Sequence, residues 1–117
     1  YEMTSSLVGS EMCIRDRLQD ADIVVTGEGR FDGQTAMGKA PVGIARRAKA
    51  HGCKVFVLAG SVEPEGAHTL QKDKPLVDGV FSILPGVLSL EDAMREEIAY
   101  ENMRFTAEQV FRIVVGR

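Results

Sequence analysis

From about Asp20 onward the sequence predicts an α/β fold on a parallel sheet, with three strands and two to three helices, incomplete as it stands. Three observations carry this. Asp22-Ile-Val-Val-Thr26 and Lys54-Val-Phe-Val-Leu-Ala59 are short continuous apolar runs, the pattern of strands covered on both faces. Between them lies a helical segment, so the unit reads strand, loop, helix, strand; such a crossover makes the two strands parallel and is almost always right-handed. Finished sheets of this doubly wound kind carry about five or six strands, and only one further run, Gly79-Val-Phe-Ser-Ile-Leu84, reads as a strand here. Part of the sheet is therefore expected to lie elsewhere.

Element by element, Gly27 stops the first strand and opens a loop to Lys39 with four glycines, enough for tight backbone approach to a ligand. Pro41 suits the first position of a helix, where a missing N–H costs nothing. Pro41, Ile44, Ala45 and Ala48 then repeat at helical spacing, Arg46, Arg47 and Lys49 sit near the end that favours cations, and Gly52 closes the helix. The second strand ends at Gly60-Ser61. From Val62 to Asp78 the pattern is weak: Ala67 to Lys72 allows a short helix, limited by Pro64 and Pro75. Pro85-Gly86 ends the third strand. Ser89-Leu-Glu-Asp92 reads as a capped helix start, and Ala93, Met94, Ala107, Val110, Phe111 and Val114 extend one long terminal helix.

The opening Tyr1 to Arg17 shares none of this periodicity. Its stretch Ser6-Leu-Val-Gly-Ser-Glu-Met-Cys-Ile-Arg-Asp-Arg17 resembles a translated sequencing adaptor, and residues 1–17 are set aside as an artefactual or unstructured leader. The alternative is a genuine, poorly patterned segment. The domain proper is then 18–117.

Composition excludes several functions. At 117 residues, 44% apolar, 26% charged and net charge −3, the chain is one ordinary globular domain without the basic field that gathers nucleic acid. It lacks the ~18 to 20 consecutive apolar residues of a membrane-spanning helix and the order of a signal peptide, so a cytoplasmic location is expected. Cys13 and Cys53 form no metal or disulfide pattern; Cys53 reads as a small apolar packing group, and His51 and His68 as surface residues.

The chemistry is expected in the loop after the first strand. Gly27-Glu-Gly-Arg-Phe-Asp32 opens like a dinucleotide fingerprint but fails where Asp32 replaces the last glycine, and Glu28 would repel a pyrophosphate. Gly38-Lys39-Ala40 also fails as a phosphate-binding P-loop. What remains is a mixed set of carboxylates and cations at the ligand edge of a parallel sheet. Carboxylates can hold Mg²⁺ or accept a hydroxyl proton, and Arg or Lys can offset phosphoryl charge; Glu28, Arg30, Asp32 and Lys39 are of those types. The competing reading is a solvated loop whose charges pair with one another, contributing at most about 1 kcal/mol.

The runs Ala21-Asp-Ile-Val-Val-Thr-Gly-Glu-Gly-Arg-Phe-Asp-Gly-Gln-Thr35 and Gly38-Lys-Ala-Pro-Val-Gly-Ile-Ala45 resemble the C-terminal signature of bacterial-type glycerate kinases. The resemblance continues through Ala48-Lys-Ala-His-Gly52, Val57-Leu-Ala-Gly60, Val80-Phe-Ser-Ile-Leu-Pro-Gly86 and Ser89-Leu-Glu-Asp-Ala93. It implies an ATP- and Mg²⁺-dependent enzyme phosphorylating D-glycerate to 2-phosphoglycerate, in glycolate, glyoxylate or aldarate breakdown. It also implies two α/β domains, one of them Rossmann-like and built from both chain ends, of which this chain would be the C-terminal part. Its partners would be the N-terminal and inserted domains of the same parent. The loop residues that match the family are Glu28, Arg30, Asp32, Gln34, Thr35 and Lys39; we read Glu28, Arg30 and Asp32 as the catalytic candidates, Asp32 or Glu28 as metal ligand or proton acceptor with Asp32 the Mg²⁺ candidate, and Gly27, Gly29, Gln34, Thr35 and Lys39 as substrate- or phosphate-binding. Departures from the family pattern lie mainly between Glu63 and Pro75 and after Tyr100, where the family varies and no role is expected to be lost. A chain lacking most of the cleft is expected to be inactive alone and to expose apolar sheet edges. The alternatives are a noncatalytic module binding a small acid or nucleotide and, disfavoured by Asp32, a nicotinamide-dependent oxidoreductase.

Overall fold

Ile23–Phe31 forms β1, and the first correction to the sequence reading is its length: the strand runs through Gly27 and Gly29. Its partner explains why. Lys54–Val62 is β2, and the two pair in parallel from Ile23 opposite Lys54 to Phe31 opposite Val62, so ladder bonds outweigh the weak strand preference of glycine. Gly79–Ser82 is β3, shorter than expected, paired in parallel to the other side of β2 from Phe56 opposite Gly79. The sheet order is β1-β2-β3. A computed structural model describes residues 17–33 and 40–115, and all that follows concerns these.

Ala40–Ala50 is α1, the crossover helix, and Val42, Ala45 and Ala48 are its buried stripe. Gly52 ends it at φ 79, the left-handed conformation a residue without Cβ adopts freely. Pro64–Gln71 is α2, longer than expected: Pro64 occupies its first turn, where proline starts a helix instead of breaking one. The expected single terminal helix is two. Leu90–Ala93 is α3, capped by Ser89, whose Oγ accepts from the Asp92 N–H at 3.1 Å. Glu96–Val114 is α4; Arg95, extended at φ −68 and ψ 133, separates them, its guanidinium 3.0 Å from Glu97.

β2 is the centre of the molecule, with Val55 to Ala59 all buried. On one face Val55, Val57 and Ala59 meet Val42, Ala45 and Ala48 of α1, Ala67 and Leu70 of α2, Phe31 and Val77. On the other, Phe56 and Leu58 meet Ile83 and Val110, with Phe81 tilted against Phe56 at 6.3 Å between ring centres. β1 has a strand on one side only among the described residues. Its side chains are mostly half-buried or exposed, Val25 at 41%, where burial on both faces was expected.

One irregularity matters for the site. Val24 and Phe31, seven positions apart, pack in the same core cluster, as do Ala59 and Val62, three apart; strict alternation permits neither. The pleat therefore slips by one residue, and the gap in the register falls at Gly29 and Gly60. A Cβ on Gly60 would stand 2.7 Å from the Gly29 carbonyl oxygen, so this approach requires glycine. The slip turns Phe31 into the core, fully buried and contributing about 2 to 3 kcal/mol, and leaves Arg30 on the opposite side.

Cys53 is buried with its thiol 3.1 Å from the Ala21 carbonyl oxygen, the packing role expected of it. His51 and His68 are exposed, again as expected.

Candidate functional site

A cleft of about 740 Å³ opens where the strands end. One wall is the polar edge of the sheet, Glu28, Gly29 and Arg30 from β1 with Gly60 and Ser61 from β2; the other is apolar, with Leu88, Leu90 and Met94 prominent. Parallel order brings this about: both strands run the same way, so their C-terminal ends share one edge, and in open parallel sheets ligands gather at that edge.

The site residues expected from sequence fall into three groups. Glu28 and Arg30 share the cleft, but on β1 and not in a loop as expected, because pairing with β2 continues beneath them. Asp32 follows β1 and is held by Arg30, its Oδ2 3.3 Å from Nε; the arginine side chain is 72% exposed and the aspartate 21%. This is the neighbour pairing that the solvated-loop reading anticipated, joining Arg30 to Asp32 and not to Glu28. Gln34, Thr35 and Lys39 lie outside the described residues.

Gly27 and Gly29 have room. A Cβ at Gly27 would meet its nearest neighbour, the Leu58 carbonyl oxygen, at 3.9 Å, and at Gly29 nothing lies within 4 Å. Packing does not require glycine there, and the open backbone leaves space for a ligand. Close approach of backbone does require glycine at Gly60 and Gly66, which sequence reasoning passed over. Gly60 stood out only as a strand end, and Gly66 lies in a stretch where no role is expected to be lost.

Among the described residues no three His, Cys, Asp or Glu side chains form a group able to hold a metal ion. The carboxylates of Glu28 and Asp32 are nevertheless oxygen donors of the kind Mg²⁺ takes, one or two from protein with phosphate and water completing the shell. The donor chemistry fits.

A family model described as the glycerate kinase family matches residues 1–115, a span that includes the segment set aside as a leader, of which the structure describes only Arg17. A glycerate kinase from Bacillus subtilis is 44% identical over 93 residues, 80% of this chain and 23% of the relative. A glycerate 2-kinase from Escherichia coli is 34% identical over 97 residues, 83% of this chain and 24% of the relative. The crystal structure of a Salmonella typhimurium LT2 protein assigned as glycerate kinase 2 superimposes with a TM-score of 0.61 at 37% identity, covering 90% of this chain and 25% of that one. The chain thus spans about a quarter of the length of these relatives. With the family model matched over nearly its whole length, the chain belongs to the glycerate kinase family.

Proposed function

We propose that this chain forms part of the active site of an ATP-dependent kinase that phosphorylates D-glycerate to 2-phosphoglycerate. The observation that supports it is the strand-end cleft, where Glu28 and Arg30 face a shared space beside Asp32 in a chain of this family. Its size suits the reaction as well. Ligand pockets run from about 300 to 1,000 Å³, and a cleft of about 740 Å³ far exceeds a three-carbon acid, leaving room for a nucleotide.

In this reading a glycerate hydroxyl oxygen attacks the γ-phosphorus in line, the bond to the ADP oxygen breaks, and the hydroxyl proton passes to a carboxylate. Glu28, half-buried in the cleft, accepts that proton. Arg30 is exposed enough to reach the phosphoryl oxygens or the substrate carboxylate, and Asp32 would hold Mg²⁺. Bound Mg²⁺ would offset charge on the phosphate oxygens. Gly27 and Gly29 leave the backbone open to the ligand, with Gln34, Thr35 and Lys39 adding polar and cationic contacts. The cleft of this chain does not by itself exclude water, so turnover by the 117-residue chain alone is not expected; the cover would come from the rest of a full-length polypeptide, its N-terminal and inserted domains. No helix among the described residues is long and apolar enough to cross a membrane, and the enzyme is read as cytoplasmic.

The test is a chimera: the Bacillus subtilis relative with its matching segment replaced by residues 18–115. It should convert ATP and D-glycerate to ADP and a phosphoglycerate, whose ³¹P and ¹H spectra identify the carbon phosphorylated. A folded chimera that binds Mg-ATP without transferring phosphate would refute this reading and favour the noncatalytic module.

A further inference from the structure

The segment from Glu63 to Gly66 does not line the cleft, yet it meets the site from behind. The Glu63 N–H donates to the Phe31 carbonyl oxygen at 2.7 Å, tying the start of α2 to the end of β1. One turn on, the buried Gly66 lies against the backbone of Asp32. A Cβ there would stand 2.6 Å from both the carbonyl carbon and oxygen of Asp32 and 3.1 Å from the Gly33 nitrogen. These are backbone atoms, which cannot swing aside as a side chain does.

We propose that Gly66 is a positioning residue for Asp32: its missing side chain lets α2 press on the peptide after Asp32, fixing that carboxylate and the guanidinium of Arg30 that it holds. The inference rests on the reading of Asp32 as part of the phosphoryl-transfer site. The physical choice is narrow. Alanine is the better helix former, so a glycine in the first turns of an eight-residue helix weakens it unless contact demands one. Contact demands it here. Gly66→Ala must move α2 away from Asp32 or move Asp32 itself, because a Cβ cannot sit at 2.6 Å from a carbonyl.

Two measurements separate positioning from simple stability. In the 117-residue chain, Gly66→Ala should shift the amide resonances of Asp32 and Gly33 while those of Val57 and Val110, in the sheet and the opposite helix, stay in place. In the chimera, assayed at a temperature at which circular dichroism finds the variant folded, Gly66→Ala should lower kcat at least tenfold with the KM for ATP within twofold. Leu70→Ala, a packing loss on the same helix away from Asp32, should lower the melting temperature and leave kcat within twofold. Glu63→Pro provides a second variant should Gly66→Ala fail to fold. Glu63 sits at φ −96, about 30° from the value proline fixes, and the proline ring would both remove the N–H held by Phe31 and crowd that carbonyl oxygen, so the change parts the start of α2 from the end of β1 and should lower kcat in the same way.

If Asp32→Asn abolishes turnover while Gly66→Ala and Glu63→Pro leave it unchanged, the positioning role is wrong and the kinase reading stands. If Leu70→Ala lowers kcat as much as Gly66→Ala, stability alone accounts for the effect and the proposal fails. If Asp32→Asn keeps full activity, the assignment of Asp32 falls and the inference falls with it. An unsubstituted chimera without activity overturns the kinase reading on which both depend.

Discussion

Asp78 offers a quantitative test of how the sheet is held. It stands at the start of β3, and its carboxylate accepts both the ammonium of Lys49, from the last turn of α1, and the Val55 N–H of β2 at 2.7 Å. Its own N–H donates back to the Val55 carbonyl oxygen at 2.7 Å. One side chain thus joins a helix end to two strands. Burial by itself would raise the Asp78 pKa, but the Lys49 hydrogen bond, the Val55 N–H and the charges of Lys49 and Lys54 outweigh it and hold the group below its ordinary value of 3.8.

For Asp78→Ala the ion pair, with both side chains about a quarter exposed, contributes about 1 kcal/mol after screening. The backbone hydrogen bond to a charged acceptor adds about 1.5 kcal/mol. The loss is then about 2.5 kcal/mol, and with a urea dependence of about 1.5 kcal/mol per molar the midpoint falls by about 1.7 M. Lys49→Met removes only the ion pair and should cost about 1 kcal/mol. Because the folded pKa is depressed, the stabilisation is present above pH 3.8 and is lost as pH falls through the lower folded value. Urea titrations of the three proteins at pH 7 and across pH 5 to 2 provide the assay. A midpoint shift below about 0.3 M for Asp78→Ala, or the same acid-side loss in wild type and variant, would refute the reasoning.

Three other outcomes are expected. In the chimera, Glu28→Gln should reduce kcat by about a hundredfold or more if Glu28 accepts the proton, whereas Arg30→Ala should raise the KM for one substrate; steady-state kinetics with both substrates varied separates the two. Ser89→Ala removes the α3 cap and should cost about 1 kcal/mol locally, read as about fivefold faster amide exchange at Asp92 and Ala93 with little change in global melting. Asn102 lies buried on α4 with its amide nitrogen unpartnered, so Asn102→Leu, of similar branching, should raise stability by about 1 kcal/mol; a lower melting temperature would mean that the amide has a structural partner.

Much of the fold was legible in the sequence because its signals are local. The β-branched run at Ile23, the apolar run at Val55, the left-handed Gly52 and the Ser89 cap each depend on the residue itself and its near neighbours, and each appears in the structure. So did the parallel order, which follows from the length of the crossover. The family was legible for the same reason, since its signature is a contiguous run around Glu28 to Asp32.

Tertiary structure decided what depends on residues far apart. Gly27 reads as a strand stop until β2 pairs beyond it, and the ladder to Val62 carries β1 through Glu28 and Arg30. Nothing near Arg95 signals the break between α3 and α4. Gly60 and Gly66 look like ordinary loop and helix residues in sequence; only the approach of Gly29 to one and of Asp32 to the other shows why neither tolerates a Cβ. The apolar wall of the cleft, from Leu88 to Met94, likewise faces Glu28 only once the chain has folded. Local sequence sets backbone preference and pattern, whereas steric exclusion between distant segments exists only in the packed molecule, and that exclusion shapes the site.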